Sequence, residues 1–361
     1  MGDTVKLVDI CTPKQWKTIP TSALLDRGYP VYGANGIIGY YNKYNHENSV
    51  VAITCRGATC GSVHITVPNA YITGNAMCLD DLREDIEPYY LYYCLLHFDF
   101  QSVISGSAQP QITRQGLEKV LIPICSRDRQ VSIANRLKKT ENIIAKWKEE
   151  LAKLDTLVKS RFIEMFGDPV TNPMGWKRDL LKNLGELNRG VSKHRPRNAP
   201  ELLNGPYPLV QTGDVSNADT YITDYSSTYS ELGLKQSRMW SKGTLCITIA
   251  ANIAKTGILA FDACFPDSVV GFISGERTNQ RYIHHWFSFF QKILEEQAPQ
   301  SAQKNINLQL LSNLSVTMPP IDLQNQFAAF VQQVDKSKSV LQKLLEKQEI
   351  LRAALMQEYF G

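Results

Sequence analysis

The sequence predicts an α+β protein: two mixed α/β domains joined by two long helices, which pack as an antiparallel coiled coil with pseudo-two-fold symmetry. Three observations predict it. At 361 residues the chain is too long for one ordinary core and suits two domains of about 100–200 residues each. A shift of 194 residues lays the chain on itself, so that "FIEMFG" at 162–167 falls on "MQEYFG" at 356–361. Residues 129–165 contain neither Gly nor Pro and place apolar side chains at alternating intervals of three and four, the pattern of a coiled-coil seam.

The repeat extends upstream. "SAQPQITRQGLEKVLIP" at 107–123 aligns with "SAQKNINLQLLSNLSVT" at 301–317 through six identities, which pair Ser107, Ala108, Gln109, Ile112, Gln115 and Leu117 with residues 194 positions later. A slip of two then sets Pro123 on Pro319 and Gln130 on Gln326. Weaker echoes pair Tyr29-Pro30 with Tyr207-Pro208, and Thr54 and Gly61 with the neighbourhood of Thr248 and Gly257.

Each copy therefore reads as a divergent, strand-rich domain followed by a long helix. "SVVAITCRG", "SVHITV", "GTLCITIAA" and "GILAFDA" are short β-branched runs punctuated by Gly and Asn, the signature of strands. "EPYYLYYCLLHFDFQSVI" and "RTNQRYIHHWFSFFQKILEEQ" carry apolar residues at helical spacing and predict one packed helix per domain. In the first long helix the seam runs through Leu137, Thr140, Ile144, Trp147, Leu151, Leu154 and Val158, and 37 residues give a rod of roughly 55 Å. In the second, Val334, Leu341, Leu344, Leu351 and Leu355 keep phase, with Ser337 and Gln348 in the interrupted places. Both helices close on Gly, which readily adopts the left-handed conformation beyond a helix end. The boundaries are a first domain at 1–128, a central helix at 129–167, a second domain at 168–322 and a C-terminal helix at 323–361.

Composition sets further bounds. The chain is 43% hydrophobic and 20% charged, with no apolar run of about 18 residues and no basic-then-apolar opening, so a cytoplasmic protein with no membrane role is expected. Lys6 stands where a myristoylation signal needs Ser or Thr. The eight cysteines lie partly in strand-like runs and read as reduced core residues. The best metal-ligand set, Cys55, Cys60, His64 and Cys78, lacks a close CxxC pair, and no metal site is expected. "AANIAKTG" has Ala254 where a phosphate-binding loop needs its second Gly, and "TNPMGW" and "TMPPID" both miss the amino-methyltransferase motif. The chain reads as a non-catalytic binding protein.

A duplicated domain on a spacer suits a two-fold ligand, and duplex DNA, whose half-sites repeat about every 34 Å, fits that description. The net charge of +4 permits it. The loop "NRGVSKHRPRN" gathers Arg189, Lys193, His194, Arg195 and Arg197 with no acidic neighbour in sequence, the side chains that contact phosphate and guanine. In the first domain the counterparts are Lys14 and Lys17 around Trp16, Lys43, and Arg56 ahead of Gly57. Gln109, Gln111 and Arg114, with Gln303, Lys304 and Asn305, either read base edges or belong to a shared turn that launches the helix. Trp147, Phe162, Phe166, Tyr359 and Phe360 are large groups that a two-helix seam does not wholly bury, and they are expected to bind a partner.

The order of these parts resembles the specificity (S) subunits of type I restriction-modification systems: a variable domain, "SAQPQIT", "LIPIC" with Gln130, a helix ending "FIEMFGD", "GWKRDLLKNLGEL", and then the series again through "SAQKNIN", "MPPIDLQNQ" and "MQEYFG". The likeness covers essentially the whole chain. It implies two target recognition domains that each read one half of a bipartite, interrupted DNA site, with the helices setting the gap. It also implies two methyltransferase (M) subunits as partners, which would carry S-adenosylmethionine while this chain holds no cofactor, and a motor-nuclease (R) subunit. The alternative is a coiled-coil scaffold with two peptide-binding domains and no DNA specificity.

Overall fold

The computed structural model describes residues 3–106, 109–250, 253–297 and 306–361. The chain divides into two compact units, one made of residues 1–148 with 343–361, the other of residues 149–342. The division does not fall between domain and helix, because α4 (Arg127–Phe166) and α9 (Ile321–Phe360) each supply one end to each unit.

In unit 1, β2 (Thr12–Gln15), β8 (Ala76–Asp80), β5 (Val51–Thr54) and β6 (Val63–Ile65) form an antiparallel sheet in that order. A second sheet pairs β4 (Gly36–Tyr41) with β3 (Tyr29–Gly33) and, in parallel, β3 with β7 (Tyr71–Ile72). The run Val51–Thr54 is buried at every position, the pattern of a strand covered on both faces. One cover is α2 (Pro88–His97), whose first turn is capped by the Glu87 side chain accepting from Tyr90 N at 2.6 Å. α1 (Leu7–Ile10) follows β1 (Thr4–Lys6), and β1 pairs with β9 (Leu121–Pro123) after the short α3 (Arg114–Leu117).

Unit 2 repeats this plan with insertions. β10 (Arg178–Leu180) pairs with β20 (Ser315–Thr317), which follows α8 (Leu308–Ser312). One sheet runs β11 (Gly185–Arg189), β19 (Val269–Ser274), β16 (Leu245–Thr248), β17 (Thr256–Leu259), the same order as in unit 1, extended by β13 (Tyr221–Ile222). The second joins β14 (Ser227–Tyr229), β12 (Leu203–Leu209), β18 (Ala263–Cys264) and β15 (Met239–Trp240). α5 (Thr212–Asn217) and α6 (Glu231–Lys235) are among the insertions, and α7 (Gln280–Gln297) takes the place of α2.

A buried glutamine fastens each domain to its long helix. Gln130 accepts from Glu87 N at 2.9 Å and donates to the carbonyls of Asp85 and Cys125. Gln324 accepts from Asn279 N at 2.9 Å and donates to those of Arg277 and Pro319. The counterpart of Gln130 is thus Gln324, at the unbroken offset of 194, and not Gln326. The expected slip was created by matching Pro123 to Pro319, whereas Tyr90 Oη donates to Pro123 O and Tyr282 Oη to Thr317 O. Gln130→Ala removes the partner of three part-buried backbone groups and is expected to destabilise unit 1 by about 1–3 kcal/mol in urea melts.

The coiled-coil seam holds in α4, where Leu137, Thr140 and Val158 are buried and Ile144, Trp147, Leu151 and Leu154 are half-buried. In α9 it is corrected. Val334, Lys338, Leu341, Leu345, Gln348 and Leu355 face inward, while Leu344 is 39% and Leu351 42% exposed. Ion pairs set this phase. Lys338, next to the position expected for Ser337, reaches Asp155 of α4 at 2.5 Å and also pairs with Asp219. Burial works against its charge, and the two carboxylates outweigh that, holding the ammonium above the usual lysine range. In unit 1, Arg352 lies 3.4 Å from Glu141 and Lys148 2.8 Å from Glu349, so the two helical segments run in opposite directions within each unit.

Burial makes unit 2 acid-sensitive. It depresses His284, whose Nδ1 bonds Thr256 Oγ1 at 2.9 Å, from 6.5 to about 4. The folded unit prefers the neutral ring, so this contribution is complete above pH 6.5 and is lost as pH falls toward 4. The loss at pH 4 is on the order of 3 kcal/mol. His284→Gln should flatten that dependence in denaturant melts between pH 7 and 4.

Candidate nucleic-acid interface

In unit 1 four of the expected DNA-binding residues, Arg56, Gln109, Gln111 and Arg114, are brought together at one place. Arg56 leaves β5 exposed, ahead of Gly57 with φ +90°, the left-handed turn that Gly permits. It forms an antiparallel bridge with Gln111, flanked by Gly57 N donating to Pro110 O at 3.3 Å and Ile112 N to Cys55 O at 3.0 Å. Gln109 and Arg114 are exposed on either side, Arg114 in the first turn of α3, which Thr113 Oγ1 caps by accepting from Gly116 N at 3.1 Å. Thr59 Oγ1 donates to Asn35 Oδ1 at 2.8 Å, so the tip of the β3–β4 hairpin also abuts this loop. Sequence reasoning missed Thr59 and Asn35, although Asn35-Gly36 between two strand-like runs is a hairpin signal. Lys17 and Lys43 are exposed elsewhere on the domain, and the Lys14 ammonium lies over the Trp16 ring at 4.0 Å.

Unit 2 builds the equivalent junction from Ile249, whose carbonyl accepts from Ile306 N at 3.0 Å, and Asn307 caps α8 as Thr113 caps α3. The Ile112-Thr113 and Ile306-Asn307 halves of the repeated segment thus have a structural part. Gln303, Lys304 and Asn305 lie outside the described residues.

The basic loop of unit 2 is organised by groups distant in sequence. Lys193 N and His194 N donate to Gln236 Oε1 at 2.6 and 3.0 Å. The expectation of no acidic neighbour fails in space: Asp267 lies 2.5 Å from Arg197 and 3.4 Å from Arg195, and Arg189 Nε donates to its backbone carbonyl. Arg195 Nη1 also donates to Ser192 O at 2.7 Å and His194 O at 2.8 Å. One carboxylate therefore positions two of the arginines and leaves the loop positive. Beside it lies a cavity of about 270 Å³ lined by Ser192, Arg197, Asn198, Gln211 and Tyr229 among others.

The expected partner-binding aromatics divide. Phe162 and Phe166 are closed into the core of unit 2, where Phe162 stacks on Tyr282 at 5.5 Å and Phe166 meets Tyr282 at 5.0 Å and Phe327 at 5.5 Å. Their own unit covers them, because the helix end inserts between α7 and α9. Phe360 does the like in unit 1, half-buried against Tyr90 at 5.5 Å, and the hydroxyl of half-buried Tyr359 accepts from Arg136 at 2.9 Å. Trp147 is half-buried on α4.

Comparison with known proteins agrees with this duplicated plan. The chain is 21% identical over 300 residues to a Methanocaldococcus jannaschii protein assigned as the specificity subunit of the type I restriction enzyme MjaX, covering 77% of this chain and 68% of the other. It is 21% identical over 349 residues to a Haemophilus influenzae protein assigned as the type I specificity subunit S.HindORF215P, covering 91% and 85%. Its fold matches the crystal structure of a type I restriction-modification S subunit from M. genitalium with a TM-score of 0.72 at 14% identity, over 100% of this chain and 96% of that one. No helix among the described residues is long and apolar enough to cross a membrane. With the model of the type I restriction modification DNA specificity domain matching residues 3–155 and again 173–352, the chain belongs to that family and carries its domain twice.

Proposed function

We propose that the chain is the non-catalytic, DNA-reading subunit of a type I restriction-modification assembly. Each domain reads one half of an interrupted site, and α4 and α9 hold the halves at a set spacing. The carrying observation is the duplication itself: one sheet order and one buried glutamine joint occur twice, so two readers are mounted on the helices in the same way. Two loop clusters supply the contacts, Arg56–Gln111 in unit 1 and Lys193–Arg197 in unit 2, with arginines suited to phosphate and guanine.

Methyl transfer would reside in partner methyltransferase subunits, which would bring S-adenosylmethionine, and a motor-nuclease subunit would join them. A surface for such a partner is the apolar stripe that the corrected seam leaves outside on the unit 1 part of α9, with Leu344 and Leu351 exposed. Exchange of residues 1–128 for those of a relative tests the reading. Sequencing of methylated sites should show one half-site altered and the other intact, and joint alteration of both halves would refute modular recognition.

A further inference from the structure

Unit 1 contains a group of side chains that DNA reading does not use. The fold does not assemble the best metal-ligand set in the sequence, Cys55, Cys60, His64 and Cys78, at which no metal is expected. Among the described residues the ligand atoms of His46, Cys78 and Asp80 lie within 4.8 Å of one another. Cys78 and Asp80 are two apart on β8 and so share a face. His46 comes from the loop after β4, held to the domain by Asn45 N and His46 N donating to Ala70 O at 3.1 Å.

The hydrogen bonds around His46 fix what stands between it and Asp80. Asn45 Nδ2 donates to Ile72 O at 3.0 Å and Asn45 Oδ1 accepts from Ile72 N at 2.8 Å, so the backbone locks which end of the amide is oxygen. That oxygen also lies 2.7 Å from His46 Nδ1, which must therefore carry its hydrogen. Nε2 is left facing Asp80 Oδ1 at 2.9 Å, while Trp16 Nε1 donates to Asp80 Oδ2 at 3.0 Å. A ring nitrogen lone pair aimed at a carboxylate needs a positive species between them, either a proton or a metal ion. The Cys78 sulfur alongside offers a third donor, which a metal ion would use. An amide oxygen that holds Nδ1–H and turns Nε2 toward the site is the outer support that ligating histidines use.

We propose that His46 Nε2, Asp80 Oδ1 and Cys78 Sγ bind a zinc-class divalent ion, with solvent in the fourth position. The mixed N, O and S donor set suits that class. The ion replaces the proton between Nε2 and Oδ1 and the thiol proton of Cys78, both released to solvent. It would staple the loop that carries Lys43 to the β2–β8–β5–β6 sheet.

The test uses the full chain purified without chelator, with metal content measured by mass spectrometry and cobalt exchanged for the native ion. Stoichiometric zinc is expected, with a near-ultraviolet thiolate-to-cobalt band that disappears in Cys78→Ser and persists in Cys60→Ser. Asn45→Ala, which removes the support of the ring together with two bonds to the Ile72 backbone and leaves all three ligands in place, should weaken affinity about 10- to 100-fold. A wild-type chain that holds no metal and takes up no cobalt overturns the proposal whatever the variants do, leaving a proton-bridged pair. A band that survives Cys78→Ser in folded protein overturns it equally.

Discussion

Phe166→Ala is expected to cost unit 2 about 3–5 kcal/mol, the usual effect of emptying a buried phenylalanine site. The side chain is 2% exposed, and its ring has Phe162, Tyr282 and Phe327 within 5.5 Å, from three helices that cannot all close on a methyl group. Trp240 and Trp286 are fully buried in the same unit, so tryptophan fluorescence in guanidinium melts should show their transition moving to lower denaturant. The contrast comes from α9, where Leu344→Asp with Leu351→Asp alters an exposed stripe. That pair should leave the melt within about 0.5 kcal/mol of wild type. It should nevertheless weaken assembly with the methyltransferase subunit in analytical ultracentrifugation. Unchanged assembly would move the docking surface elsewhere.

A change in the gap between half-sites is expected to lower the affinity of the assembled complex by about 10²–10⁴-fold, the gain that two linked readers make only when both engage. One inserted base pair moves a half-site by about 3.4 Å along the duplex and turns it about the axis. Ten restore its face but place it about 34 Å further away. A fixed helical spacer absorbs neither change, whereas flexible tethering would tolerate both. Electrophoretic titration over a series of gap lengths at constant salt separates the two, because salt alone shifts phosphate-driven binding.

Much of this architecture was legible because it is written locally and twice. The 194-residue offset, the β-branched runs and the helical spacing of α2 and α7 each depend on residues within a short window. Partner choice across long separations was not. Lys338 takes a seam position because Asp155 and Asp219 lie there, 183 and 119 residues away, and this turned the apolar stripe of α9 by one step. Asp267 and Gln236 order the basic loop from 40 to 80 residues downstream, and no local pattern marks them. Matching one proline to another created the apparent slip near Gln130, where three backbone bonds decide the true register. The Phe162 and Phe166 side chains looked too large for a seam because the sequence does not show α7 arriving to cover them.

The two units are also made in an order that the ribosome imposes. Unit 2 is one unbroken stretch, residues 149–342, whereas unit 1 cannot be completed until residues 343–361 have been synthesised. At about 5–20 residues per second the intervening 194 residues take roughly 10–40 s. During that delay Tyr90 lacks Phe360, and the Leu137–Thr140 face of α4 has no second helix against it. The N-terminal half of unit 1 therefore carries apolar surface that stays uncovered until the last helix has been made.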